Sequence, residues 1–211
     1  MDTNQLISIL SRGAGPAPTF AVPRRLIPVS VAGLLASVFL SASLLGLLSA
    51  ESFLQPVTWV KLGYALSLAL AAGLLTAALA KPVSRLARPS KLLIAVVAAM
   101  VTAGVLALAL SPSNERISAV FGQTWLSCSW TLMAFSLPAL LGILVTLRTL
   151  APTRLRQAGW ASGFLAGGLG ALGYALACPE SSPTFVAIWY TLGILLTGLI
   201  GRLIAPMVLR W

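Results

Sequence analysis

Hydrophobic and polar positions fall in long blocks along this chain. Apolar stretches at 26–48, 59–80, 92–110, 130–147, 159–177 and 185–201 are separated by short polar segments, and none has an acidic residue in its interior. The stretches run 17 to 23 residues, and a membrane-crossing helix needs about 17–25 predominantly apolar residues. The pattern predicts an all-α polytopic membrane protein. A six-transmembrane-helix bundle occupies 26–205, with an amino-terminal segment at 1–25 and a tail at 206–211. Composition agrees: 9% of residues are charged, against about 25% in a soluble domain.

The placement of charge sets the orientation. Twelve of the fourteen basic residues flank the predicted spans on one side: Arg12, Arg24, Arg25, Lys81, Arg85, Arg88, Lys91, Arg148, Arg154, Arg156, Arg202 and Arg210. The other side holds Arg116 and three of the four acids, Glu51, Glu115 and Glu180. The positive-inside rule assigns the basic side, and with it both termini, to the cytoplasm. A net charge of +10 is explained by this asymmetry, and nucleic acid is not needed as a partner. Lys61 lies near the outer end of the second span, where its stem is expected to snorkel toward the interface. The first apolar run, at 23 residues, exceeds the roughly 7–15 of a cleaved signal sequence. Trp59, Trp125, Trp130 and Trp189 are expected near the outer interface and Trp160 and Trp211 near the inner one.

Residues 1–25 form the largest polar piece. A short helix is expected over 4–12, capped by Asp2 or Thr3, with Leu6, Ile7 and Leu10 at helical spacing. A Gly/Pro linker at 13–18 ends it. About nine residues of helix are marginal alone in water, so this one needs the membrane surface, the bundle or another protein as partner. In the fifth span Gly159, Gly163, Gly167, Ala171 and Ala175 recur every four residues. Such a stripe lets helix backbones approach within a membrane, either inside the bundle or across a homodimer face.

The chain contains no histidine, which removes the commonest general base, metal ligand and pH switch. With no carboxylate in a span, a proton relay has no obvious members. Ser41, Ser67, Thr76, Thr102, Ser136 and Thr197 lie in spans without an evident activating base, and are expected to hydrogen-bond to their own helix or a neighbour. Enzymatic chemistry is therefore disfavoured, and no resident cofactor is expected. Two residues remain, Cys128 and Cys178, both predicted at the outer end of the bundle. They are compatible with simple packing, with a disulfide in an oxidising compartment, or with transient capture of a soft metal ion. Two thiols are too few for a closed zinc site.

The segment Cys178-Pro179-Glu180-Ser181-Ser182-Pro183, followed by Phe185, Trp189, Tyr190 and Gly193, resembles the last hairpin of the NrsF-type family, the negative regulators of sigma-F. The region around Trp125, Cys128 and Pro138, the opening Thr3, Leu6, Ile7 and Leu10, and the closing Leu209-Arg210-Trp211 are also similar. Ala177 and Tyr190 stand where a histidine would assist a metal site, so the thiols are left as the candidate sensor. The resemblance implies a membrane-bound anti-sigma factor of the bacterial inner membrane. It would hold an extracytoplasmic-function sigma factor through Leu6, Ile7 and Leu10 and release it on a periplasmic signal read by Cys128 and Cys178, with oxidant or soft metal as inducer. Its partners are then the sigma factor and membrane lipid. The alternative is a small transporter or channel, which requires a polar, water-accessible path between the spans.

Overall fold

A computed structural model describes residues 20–81, 86–150 and 152–210, together with Thr3, Gln5, Ile7 and Ser8. The described residues contain no strand. Six long helices account for most of them: α1 (Ala21–Leu44), α2 (Pro56–Leu79), α3 (Ala87–Leu110), α4 (Trp125–Arg148), α5 (Leu155–Ala175) and α6 (Pro183–Val208). A 3₁₀ turn, Ala50–Leu54, precedes α2, and a short helix, Arg116–Phe121, precedes α4.

Local signals set the boundaries. α1 stops at Leu44 because Gly46, at φ +79°, supplies the left-handed turn that follows. The expected first span ran to 48, so it overshoots the helix by four residues. Pro56 and Pro183 open α2 and α6, where a missing N–H costs nothing. The Ser182 hydroxyl caps α6 by accepting from the Phe185 N–H at 3.3 Å. Within α6, Val186–Tyr190 forms a wider π turn. Pro28, Pro138 and Pro206 lie inside helices, as neighbouring segments in a bundle allow.

α1, α2, α3, α4 and α6 are each long and apolar enough to cross a membrane. The expected span at 159–177 corresponds to α5, which is not in that set. Its apolarity is diluted by Gly159, Gly163, Gly167, Gly168, Gly170 and Gly173. The physical reason lies in its position: α5 packs against α6, α2, α4 and α1, and nearly every residue from Ala158 to Ala175 is buried. A helix surrounded by protein needs small side chains more than lipid-soluble ones.

The glycines of α5 divide among its neighbours. Gly159 and Gly163 lie against the α6 backbone at Gly201 and Gly198, and Gly167 against Ile194. Gly168 faces Ala69 of α2, Gly170 faces Ser136 of α4, and Gly173 faces Ser37 of α1. Ser37 donates to the Gly170 carbonyl at 3.2 Å. The three glycines of the every-four stripe thus pack within the chain, on α6.

Five of the six span hydroxyls bond back to their own helix: Ser67 to Tyr64, Thr76 to Ala72, Thr102 to Ala99, Ser136 to Leu132 and Thr197 to Gly193. Ser41 is buried without a partner. At the amino terminus Ile7 is helical and 60% exposed. Leu6 and Leu10 lie outside the described residues.

Candidate functional site

The helices meet at one end of the bundle in a tightly bonded cap. Leu48 N–H donates to the Leu176 carbonyl at 2.9 Å, tying the loop after α1 to the end of α5. The α5–α6 connection then threads between α2, α3 and α4. Ser182 donates to the Ala119 carbonyl (2.7 Å), Thr184 to Gly104 of α3 (2.9 Å), and the Trp189 indole N–H to Val120 (2.9 Å). Ser129 of α4 donates to the Trp189 carbonyl at 2.9 Å, a backbone group in the π turn.

Inside this cap Cys128 and Cys178 are brought together. Cys128 sits in the first turn of α4 and Cys178 three residues beyond α5; both are free and essentially fully buried. The two thiols lie close enough to interact directly. Tyr174, in the last turn of α5 with its carbonyl accepting from the Cys178 N–H at 3.0 Å, and Tyr190 of the π turn complete the surroundings, their rings 5.6 Å apart. The Tyr190 hydroxyl is buried without a well-formed hydrogen bond and lies near the Cys178 sulfur. Interaction with Cys128 lowers the Cys178 pKa against the opposing push of burial, and the Lys61 charge, the Tyr190 hydroxyl and the Glu180 backbone N–H add to the lowering. Cys178 is therefore the sulfur predisposed to thiolate chemistry.

Lys61 overturns one expectation. Instead of snorkelling to the interface it turns inward and is 1% exposed. Its Nζ donates to the carbonyls of Cys178 (2.8 Å) and Glu180 (2.7 Å). These two carbonyls, offered by a loop that crosses over α2, replace the water a surface ammonium would keep. The span is therefore not free of buried charge, and the charge that it holds lies beside the thiols.

Glu180 supplies the second anchor. Its carboxylate accepts from the backbone N–H groups of Gln123 (2.7 Å) and Thr124 (2.9 Å) and from the Thr124 hydroxyl (3.0 Å). Thr124 is the N-cap of α4, so a negative charge occupies the positive end of that helix dipole. Gly122, at φ +54°, permits the approach: a Cβ there would lie 2.5 Å from the carboxylate. The segment from Cys178 to Glu180 is thus pinned by α2 at two carbonyls and by α4 at one carboxylate.

Cys128 and Cys178 were legible as a pair; Lys61, Glu180, Tyr174 and Tyr190 were not. Two signals pointed to them. A lysine alone in an apolar span, on the side opposite twelve of the other bases, invites a buried partner. A tyrosine four residues before a cysteine shares its helix face.

Among the described residues this is an all-helical arrangement, consistent with a multi-pass membrane protein, with a buried thiol pair within a bonded cap. The chain belongs to the family described as negative regulator of sigma F, which matches residues 10–211. Two relatives align over the whole of both chains. The anti-sigma-F factor NrsF of Caulobacter vibrioides is 37% identical over 217 residues. The probable anti-sigma-F factor NrsF of Azospira oryzae is 36% identical over 225. No solved structure matches. Members of this family are regulators, not enzymes.

Proposed function

We propose that this protein is an inner-membrane anti-sigma factor that sequesters an extracytoplasmic-function sigma factor and releases it when Cys128 and Cys178 react at the periplasmic face. Family membership supports the regulatory class, and the observation that carries the signal is the meeting of two free thiols under a loop pinned by Lys61 and Glu180. In this reading six helices cross the membrane, α5 as the central one, and both termini are cytoplasmic. The sigma factor contacts the amino-terminal segment, where Ile7 stands exposed, together with Leu6 and Leu10.

The signal acts on the thiols in one of two ways. A two-electron oxidant takes two electrons and two protons from the pair and leaves a disulfide. A soft metal ion displaces the two protons and is held by two thiolates. Either change links the start of α4 to the end of α5 more tightly, and the shift is carried along those helices to the cytoplasmic side.

A sigma-dependent reporter with the full-length protein tests both halves. Burying one leucine at an interface is worth roughly 1.5–3 kcal/mol. Leu6→Asp with Leu10→Asp is expected to weaken sigma binding about tenfold or more and to switch the reporter on constitutively. Full repression by this variant at normal membrane levels excludes the segment as the contact. Cys128→Ser, Cys178→Ser and the double variant are expected to share one signalling phenotype without additivity. Normal induction by oxidant or thiophilic metal in the double variant removes the pair from the signal path.

A further inference from the structure

At the opposite end of the bundle from the thiols, α3 is joined only loosely to its neighbours. It packs along α2, and its far end is tied to the start of α6 through Gly104. Between its other half and α2, α5 and α6 runs an apolar crevice of about 530 Å³, lined on α3 by Leu93, Val97 and Val101 and closed opposite by Leu68, Phe164 and Ile194. Its rim residues Ile94 and Leu195 are exposed.

The crevice continues past Leu75, Ser90 and Trp160 into a second hollow of about 560 Å³ at the basic end of the bundle. Arg154, Arg156 and Arg202 line this hollow with Gln157, and no acidic residue is among its lining. All three arginines are exposed. Arg202 lies over the Trp160 ring, 5.9 Å from its centroid. Trp160 is held edge-on by Phe164 at 5.0 Å, so the indole sits at the junction between the apolar and basic parts.

We infer that this groove is a binding site for one anionic glycerophospholipid, one of its acyl chains between α3 and the α2/α5/α6 wall and its phosphate among Arg154, Arg156 and Arg202. Charge and length both select this occupant. A tail alone leaves three arginines facing an apolar slot, whereas an amphiphile with an anionic head satisfies both parts. From Ser90 to Val101 the α3 wall is about 16 Å long at 1.5 Å per residue, close to half of the roughly 30 Å hydrocarbon core. That is the depth of one acyl chain in one leaflet. The inference does not depend on the sigma factor or on the thiols.

The test uses full-length protein, delipidated in a neutral detergent, with native mass spectrometry and thermal shift. Dioleoyl phosphatidylglycerol is expected to be retained about tenfold better than dioleoyl phosphatidylcholine, and inorganic phosphate to give no shift. Arg156→Gln with Arg202→Gln is expected to abolish the preference for phosphatidylglycerol, and Val97→Trp to weaken retention of both lipids. Equal retention of the two lipids by the wild-type protein overturns the site in favour of ordinary annular lipid, with no variant needed. A shift with phosphate alone reduces it to an anion patch. A second protein chain in the retained complex, with lipid excluded, makes the groove a protein interface instead.

Discussion

Replacing Lys61 with methionine is expected to release the loop that covers the thiols, raising amide exchange at Gln123 and Thr124 roughly 30-fold. Methionine fills the space of the lysine stem but leaves the carbonyls of Cys178 and Glu180 without their donor. Each unpaired buried carbonyl costs about 1–3 kcal/mol. Relief from burying an ammonium offsets part of this, so the net shift toward the open loop is about 2 kcal/mol, or roughly 30-fold. Gln123 and Thr124 report it because their N–H groups are held by the Glu180 carboxylate and exchange only when that carboxylate leaves. Unchanged exchange in a folded Lys61→Met protein would show that Lys61 does not hold the loop. Glu180→Gln keeps the size and an acceptor oxygen while losing the charge at the α4 N-terminus, and is expected to have a smaller effect in the same direction.

The dependence of this cap on long-range pairing explains which parts of the molecule could be read from the chain. Long apolar blocks and lopsided charge are local properties, so the helical class and the approximate extents of α1–α6 were accessible. The common end for Cys128 and Cys178 followed from counting spans. The partner of Lys61 was not accessible, because it lies 117 and 119 positions away and consists of backbone carbonyls that every residue possesses. Glu180 read as one outer acid among three, since nothing local shows that its carboxylate meets the first turn of another helix. The glycines of α5 were partly legible. Gly159, Gly163 and Gly167, which face α6, recur with a period, whereas Gly168, Gly170 and Gly173 serve three different neighbours and so form none. The lipid groove was invisible for a related reason: its apolar residues look like any lipid-facing positions until α3 is seen to stand off from α5.

The α5–α6 contact carries the second large expectation. Gly163→Ala is expected to lower the unfolding midpoint by roughly 2–12 °C, whereas Gly63→Ala leaves it unchanged or raises it. At Gly163 an added Cβ would lie 2.5 Å from the Gly198 Cα and from the Thr197 carbonyl oxygen. Both are backbone atoms, so no side chain can rotate away and the helices themselves must separate. Separation also loosens Gly159 against Gly201 and Gly167 against Ile194, since all three contacts lie on one line of α5. Overpacking of this kind costs about 1–3 kcal/mol, and each kcal/mol corresponds to roughly 2–4 °C for a chain of this size. Gly163→Leu is expected to prevent assembly altogether. At Gly63 nothing lies within 4 Å of the added methyl, so the substitution only removes the conformational freedom of glycine, a gain of up to about 1 kcal/mol in a helix interior. Each alanine variant adds one methyl group to a helix interior, so the sign of the difference between them isolates packing from propensity. Equal shifts in both would mean that α5 and α6 do not approach as closely as the glycines allow.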